Sequence, residues 1–111
     1  MQYLMLVCSD GISTPEIAAT MQEHTPAWVE EMDSSGARLL GNGLLGPDAA
    51  KSVRVRDGQT LVSDGPFAET KEFLAGIAVL NTHSEQEAIE LAAKFPLARF
   101  HMVEVRPFWG G

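Results

Sequence analysis

The stretch Tyr3-Leu-Met-Leu-Val-Cys8 decides the fold, because it is apolar at every position. Successive side chains of a strand point to opposite faces of the sheet, so a strand that is apolar at both alternating positions must be buried on both faces. A second stretch of this kind, Phe73-Leu-Ala-Gly-Ile-Ala-Val-Leu80, occurs late in the chain. We therefore predict that these two stretches are the central strands of one sheet.

The segment between these strands begins with two helix-start signals. Ser13-Thr-Pro-Glu16 has the form of a capping box and predicts a short helix that runs to about Glu23. Thr25-Pro26 then predicts the start of a second helix, with Thr25 as its N-cap. Gly36 favours a stop for that helix, because glycine readily adopts the left-handed conformation.

A β-hairpin is the clearest local signal in the chain. Ser52–Arg56 and Gln59–Ser63 flank Asp57-Gly58, which is the two-residue turn that tight hairpins prefer. The other predicted elements are a glycine-interrupted strand over Ala37–Leu45, a helix from the Ser84 cap to about Phe95, and a last strand over Phe100–Arg106.

The order of the elements is β-α-β, a hairpin, then β-α-β, which predicts an α+β fold: a ferredoxin-like split βαβ with an inserted β-hairpin, in a single domain over residues 1–111. This topology places its first and third strands in the centre of the sheet, where the two fully apolar stretches belong. The helices cover one face. The other face would be a large exposed apolar patch, and the simplest cover is the sheet of a second, identical chain. We therefore predict a homodimer through the sheet faces.

Charge and composition exclude several functional classes. The net charge of −7, from 15 acidic against 8 basic residues, argues against nucleic acid as a partner, because phosphate binding depends on Lys and Arg. The N-terminal apolar run is too short for a signal peptide or a membrane span. Cys8 is the only cysteine, so no intramolecular disulfide can form. We expect a cytoplasmic protein with no membrane association and no cofactor.

The segment Asp64-Gly-Pro-Phe67-Ala-Glu69-Thr-Lys71-Glu72 concentrates ionisable side chains around an irregular stretch. The residue types also suit a structural turn, in which Pro66 fixes the backbone and Phe67 anchors it to the core. Carboxylates beside a lysine form either an acid–base set or a solvated loop, and the spacing does not decide between the two.

His24 is the main candidate base, because the predicted second helix starts next to it. The positive end of a helix disfavours the imidazolium ion, so a ring that accepts a proton is expected there. Asp64, Asp10 and Glu69 are the carboxylates from other segments that could pair with it. The predicted site residues are His24, Asp64 and Glu69 as catalytic groups, and Lys71, Phe67 and Asp10 as binding groups.

The other histidines receive structural assignments. His101 is predicted to point to the same face of the last strand as Val103 and Val105, which predicts a core or interface position. His83 precedes a helix cap and is expected in solvent. The three histidines lack metal-ligand spacing, so no metal site is predicted.

The chain resembles the DGPF group of the YCII-related family at Val53–Gly58 and at Asp64–Glu72. The opening Met1–Val7, the segment Gly43–Pro47 and the closing Val103–Pro107 are similar to it as well. The resemblance implies a dimeric α+β barrel, in which two ferredoxin-like sheets pack face to face and leave clefts beside the helices.

The resemblance also implies a functional arrangement. In the wider family a His–Asp pair in such a cleft has been proposed as acid–base machinery, and its histidine lies where His24 lies here, with Asp33 as the nearest aspartate by sequence. One hypothesis is therefore a small-molecule enzyme in which His24 is the general acid or base, Asp64 or Glu69 orients it, and Lys71 attracts an anionic substrate. Members of the group often accompany extracytoplasmic-function sigma factors, so the alternative is a non-catalytic dimer that binds a small ligand or a regulatory protein.

Overall fold

The structure, a computed structural model, describes residues 1–65 and 72–110. Its strands and helices follow the predicted order. They are β1 (Gln2–Ser9), α1 (Pro15–Ser34), β2 (Arg38–Gly43), β3 (Lys51–Arg56), β4 (Gln59–Asp64), β5 (Phe73–Asn81), α2 (Glu85–Ala93) and β6 (Met102–Pro107), with short 3₁₀ turns at Pro47–Ala49 and Pro96–Arg99.

Four of the strands form one antiparallel sheet in the order β2-β5-β1-β6. The two fully apolar strands, β1 and β5, are its centre, and they pair with Tyr3 opposite Leu80 and Met5 opposite Ala78. Strands β3 and β4 form a separate two-stranded sheet. The prediction of an α+β, ferredoxin-like fold with an inserted hairpin is therefore confirmed.

The core lies between the sheet and the two helices. Trp28 of α1 packs edge-on against Phe95 with ring centroids 5.0 Å apart, and its indole nitrogen donates a hydrogen bond to the Leu91 carbonyl over 3.0 Å. Such an aromatic pair contributes about 1 kcal/mol beyond the area it buries. The buried cluster also contains Tyr3, Met5, Val7, Met32, Ala78 and Leu80.

The opposite face of the sheet is apolar as well. Leu4 and Leu6 of β1 alternate with the core residues, and they pair with Val79 and Ile77 of β5. These four side chains lie outside the buried cluster that both helices join. The sheet therefore has a second apolar face, called the open face below, over which neither described helix packs.

Helix α1 is continuous, so the predicted break between Glu23 and Thr25 is wrong. Its N-cap is Thr14, whose hydroxyl accepts a hydrogen bond from the Ile17 amide over 3.2 Å, and Pro26 lies inside the helix. Proline removes one backbone hydrogen bond and in a helix interior costs about 3 kcal/mol. The helix continues past Pro26 because Trp28 and Met32, which follow the proline in the helix, are buried in the core.

The hairpin has the predicted turn. Asp57 and Gly58 adopt positive φ angles of 52° and 76°, as a type I′ turn requires. Val53 pairs with Val62, and Val55 pairs with Thr60, so these four side chains share one face of the hairpin. The three valines of that face are 60–62% exposed.

No helix within residues 1–65 and 72–110 has the length and apolar character that crossing a membrane requires.

Candidate active site

The candidate site lies at the end of the sheet where β1 stops and β6 begins. Cys8 pairs with Met102, and this register brings Asp10, two residues beyond Cys8, next to His101, one residue before Met102. The imidazole Nε2 of His101 lies 3.6 Å from Oδ1 of Asp10. The His101 side chain is only 8% exposed and that of Asp10 is 29% exposed.

A tight turn holds Asp10. Oδ1 of its carboxylate accepts a hydrogen bond from the Ile12 amide over 2.9 Å, and the Gly11 amide donates to the Ser9 hydroxyl over 3.0 Å. Gly11 has φ +82°, and a Cβ at this position would lie 3.3 Å from the Phe73 ring. Only glycine fits this backbone without strain, so the Asp-Gly sequence determines where the carboxylate lies.

His101 follows the 3₁₀ turn at Pro96–Arg99, and its amide donates to the Leu97 carbonyl over 2.9 Å. The strand that was predicted to contain it starts at Met102 instead. Nε2 is buried and has no hydrogen-bond partner among the described residues. The distance of 3.6 Å to Asp10 is an ion-pair distance and is too long for a hydrogen bond. Burial of a polar atom without a partner is costly, so Nε2 is an unsatisfied polar atom of this site that calls for an explanation.

Burial and two nearby carboxylates act on the Cys8 thiol, which lies beside this site. Burial raises the pKa of the neighbouring Cys8 thiol, and the carboxylates of Glu72 and Glu104 raise it further. A raised pKa keeps the thiol protonated at neutral pH, so Cys8 is a poor nucleophile. This leaves the Asp10–His101 pair as the candidate acid–base group at this end of the sheet.

His24 has a different environment from the one that the sequence predicted. Because α1 begins at Pro15, His24 lies in the interior of the helix, and the argument from a nearby helix N-terminus is wrong. Its imidazole is partly exposed and lies 3.8 Å from the carboxylate of Glu23, its neighbour in sequence. The assignment of His24 as a catalytic group stays a prediction.

Of the carboxylates considered as partners of His24, Asp10 lies beside His101, and the others are engaged elsewhere or lie outside the described residues. Asp64, at the end of β4, forms an exposed ion pair with Lys51. Asp33 accepts two hydrogen bonds from Arg38, over 2.8 and 3.1 Å. Phe67, Glu69 and Lys71 fall outside the described residues.

An open groove of about 750 Å³ follows one face of α1. Met21, Pro26 and Val29 give it an apolar floor, and Glu30 and Asp33 line it as well. Neither His24 nor Asp64 belongs to this lining. Across the described ranges, no three His, Cys, Asp or Glu side chains are grouped so that they could hold a metal ion.

The sequence pointed to Asp10 but not to its partner. His101 was assigned to the core or an interface from its parity, and its burial fits that assignment. The pairing of Asp10 with His101 follows from the register of β1 with β6, which no local pattern reveals. Combining the ferredoxin-like strand order with the positions of the two strand ends would have placed these residues together.

Comparison with known proteins adds the family. The YCII-related domain matches residues 1–109. The chain belongs to the YCII-related family. An uncharacterised protein from Rhizobium meliloti (strain 1021) is 39% identical in an alignment that covers 61% of this chain and 67% of that protein. Membership of the DGPF group within the family stays a prediction.

A solved structure shares the architecture. It is the 5-chloro-2-hydroxyhydroquinone dehydrochlorinase (TftG) of Burkholderia phenoliruptrix AC1100 in complex with 2,5-dihydroxybenzoquinone. The TM-score is 0.55, the identity is 13%, and the alignment covers 100% of this chain and 96% of that one. At this identity the likeness concerns the fold alone.

Proposed function

We propose that this YCII-related protein is a small-molecule enzyme that uses acid–base catalysis, with His101 as the proton-transferring group and Asp10 as its carboxylate partner. The observation that carries the proposal is the nearly buried imidazole of His101, whose Nε2 lies beside a carboxylate and has no hydrogen-bond partner among the described residues. Buried polar atoms without a partner are uncommon in folded proteins, and a functional role is one explanation for them.

Nε2 of His101 accepts a proton from an O–H or C–H group of the substrate and later returns it. The carboxylate of Asp10 stabilises the imidazolium that forms between these two steps, because opposite charges at this distance attract strongly in a partly buried site. A positioned general base contributes a rate factor of about 10² to 10⁴.

A hydroxylated aromatic ring or quinone is the substrate class to test first. TftG, which shares the fold, acts on a chlorinated hydroxyhydroquinone and binds 2,5-dihydroxybenzoquinone. The phenolic or enolic protons of such molecules are suitable for transfer to an imidazole.

The competing assignment places proton transfer at His24, with Asp64 or Glu69 as its partner and Lys71, Phe67 and Asp10 in substrate binding. Kinetics of His101→Gln, Asp10→Asn and His24→Gln variants on hydroxyhydroquinones distinguish the two. We expect His101→Gln to lower kcat about 10² to 10⁴-fold, Asp10→Asn to lower it less, and His24→Gln to leave it unchanged. Full activity of His101→Gln together with an inactive His24→Gln would overturn the proposal. Binding of 2,5-dihydroxybenzoquinone without turnover would favour the non-catalytic accessory role, including one beside a sigma factor.

We also propose that the working form is a homodimer through the open face. Leu4, Leu6, Ile77 and Val79 lie on the two central strands and outside the helix-covered cluster. A contiguous apolar face of this kind on a small protein marks an interaction site. A second copy presents the same face, so a two-fold arrangement covers both at once.

A further inference from the structure

The hairpin of β3 and β4 is a second apolar surface that the proposed sheet-to-sheet dimer does not explain. Val53, Val55 and Val62 share one of its faces and are 60–62% exposed. On its other face Leu61 is 48% exposed. A two-stranded hairpin is at best marginally stable alone in water, so this arm needs a surface to pack on.

The hairpin starts from the same end of the sheet as the candidate site. It leaves after β2 and returns to β5 at Phe73, which pairs with Ser9 immediately before Asp10. Each of its strands has six residues, so the arm reaches about 20 Å beyond its base. That length is sufficient to cross onto a neighbouring molecule.

The charge of the arm differs from that of the rest of the chain. Residues 51–64 contain three basic and two acidic residues, which gives them a net charge of +1. Because the whole chain has a net charge of −7, the remaining residues together carry −8. The acidic excess therefore lies outside the arm, on the rest of the chain. A slightly basic apolar arm of one copy is complementary in charge to the acidic remainder of a second copy.

We propose that the hairpin is an exchange arm, whose valine face packs on the open face of a second copy of this chain near its Cys8 end. This inference rests on the proposed homodimer and adds the hairpin as a second contact that stabilises it. Each chain supplies one arm and one acceptor surface, so the contact is made twice in a two-fold dimer.

The first test removes the apolar surface but keeps the strands. A Val53→Thr, Val55→Thr, Val62→Thr triple variant replaces each valine with a β-branched residue of similar size, so the hairpin itself is retained. The matched control is Leu61→Thr, on the opposite face. Sedimentation equilibrium should show that the triple variant raises the dissociation constant of the dimer by about tenfold or more, and that Leu61→Thr changes it by less than about threefold.

The outcomes separate this inference from the proposed dimer. A wild-type protein that sediments as a monomer overturns both. A wild-type dimer that the triple variant leaves equally tight overturns the arm alone, and the sheet-to-sheet dimer then stands without it. Equal weakening by the triple variant and by Leu61→Thr also overturns it, because the effect is then not specific to the valine face.

The second test locates the arm. Thr60→p-benzoylphenylalanine places a photoreactive ketone on the valine face, and Gln59→p-benzoylphenylalanine places it on the other face. Irradiation at position 60 should give a covalent dimer whose adducts map to Leu4–Cys8 or Ile77–Val79 of the other chain, and position 59 should not. Adducts within one chain would show that the arm folds back on its own sheet and would overturn the proposal.

Discussion

At the scale of residues, the site depends on two positions that the fold brings together from opposite ends of the chain. Asp10 is fixed by its Asx turn and by Gly11, whose positive φ excludes other residues. His101 is fixed by burial and by the bond from its amide to Leu97. Asp10 was predictable from the sequence because Asp-Gly after an apolar strand is a turn signal. The partner of Asp10 was not, because it depends on strand register.

The Cys8 thiol reports the electrostatics of this end of the sheet. Burial and the carboxylates of Glu72 and Glu104 raise its pKa above the ordinary value of 9.0. We therefore expect alkylation of native Cys8 to be slow at neutral pH and to reach half of its maximal rate only above pH 9.0. Iodoacetamide rates measured against pH in the native and the urea-unfolded protein check this.

The same shift predicts how stability depends on pH. The folded state binds the thiol proton more tightly than the unfolded state, so this contribution is fully present below the unfolded pKa and is lost as the pH rises through the folded pKa. A Glu104→Gln variant should lower the native thiol pKa, because it removes one of the two raising charges. A native thiol that titrates at or below 9.0 would contradict the electrostatic description.

At the scale of elements, local signals predicted most of the structure. Apolar residues on both faces of the predicted strands correctly placed β1 and β5 at the centre of the sheet. Asp57-Gly58 correctly located the hairpin turn. Local signals failed at Pro26, where a helix-start pattern lies inside a continuous helix. Packing of Trp28 and Met32 against the core outweighs the local cost of proline, and packing is not visible in a short window of sequence.

Pro26 should therefore destabilise the native protein. Pro26→Ala restores an amide that can donate to the Gln22 carbonyl, so we expect the free energy of unfolding to rise by about 1 to 3 kcal/mol. Pro47→Ala is the matched control, because Pro47 begins a 3₁₀ turn, where a missing amide has little effect. Urea denaturation of both variants measures the difference. A Pro26→Ala protein that is less stable than the wild type would show that the proline is needed for the shape of α1.

At the scale of the whole molecule, the chain presents an apolar sheet face and a projecting hairpin. The described fold is flat, with extents of 47 × 40 × 19 Å. The sequence predicted that the sheet face opposite the helices needs a partner surface, because two strands are apolar on both faces. The exposure of the valine face of the hairpin was not anticipated, because a hairpin pattern does not reveal whether the arm packs on its own chain.

The dimer predicts a clear response to charge on the open face. Leu40 of β2 pairs with Val79 and is 54% exposed, and Ile89 of α2 is exposed to a similar degree on the helix side. Light scattering of the wild type should give about 24 kDa, twice the chain mass of 12.0 kDa. Leu40→Glu should lower the measured mass towards the 12.0 kDa of one chain, and Ile89→Glu should leave it unchanged. Equal behaviour of the two variants would place the interface elsewhere.

We propose that His101, paired with Asp10, is the group that meets the bound molecule. The chain contains only three histidines, so each imidazole nitrogen can be assigned by ¹⁵N NMR. The most direct measurement is a titration of the wild-type protein with 2,5-dihydroxybenzoquinone, followed at these nitrogens. We expect the Nε2 resonance of His101 to move with saturation and those of His24 and His83 to stay in place. A saturating shift at His24 with none at His101 would contradict it.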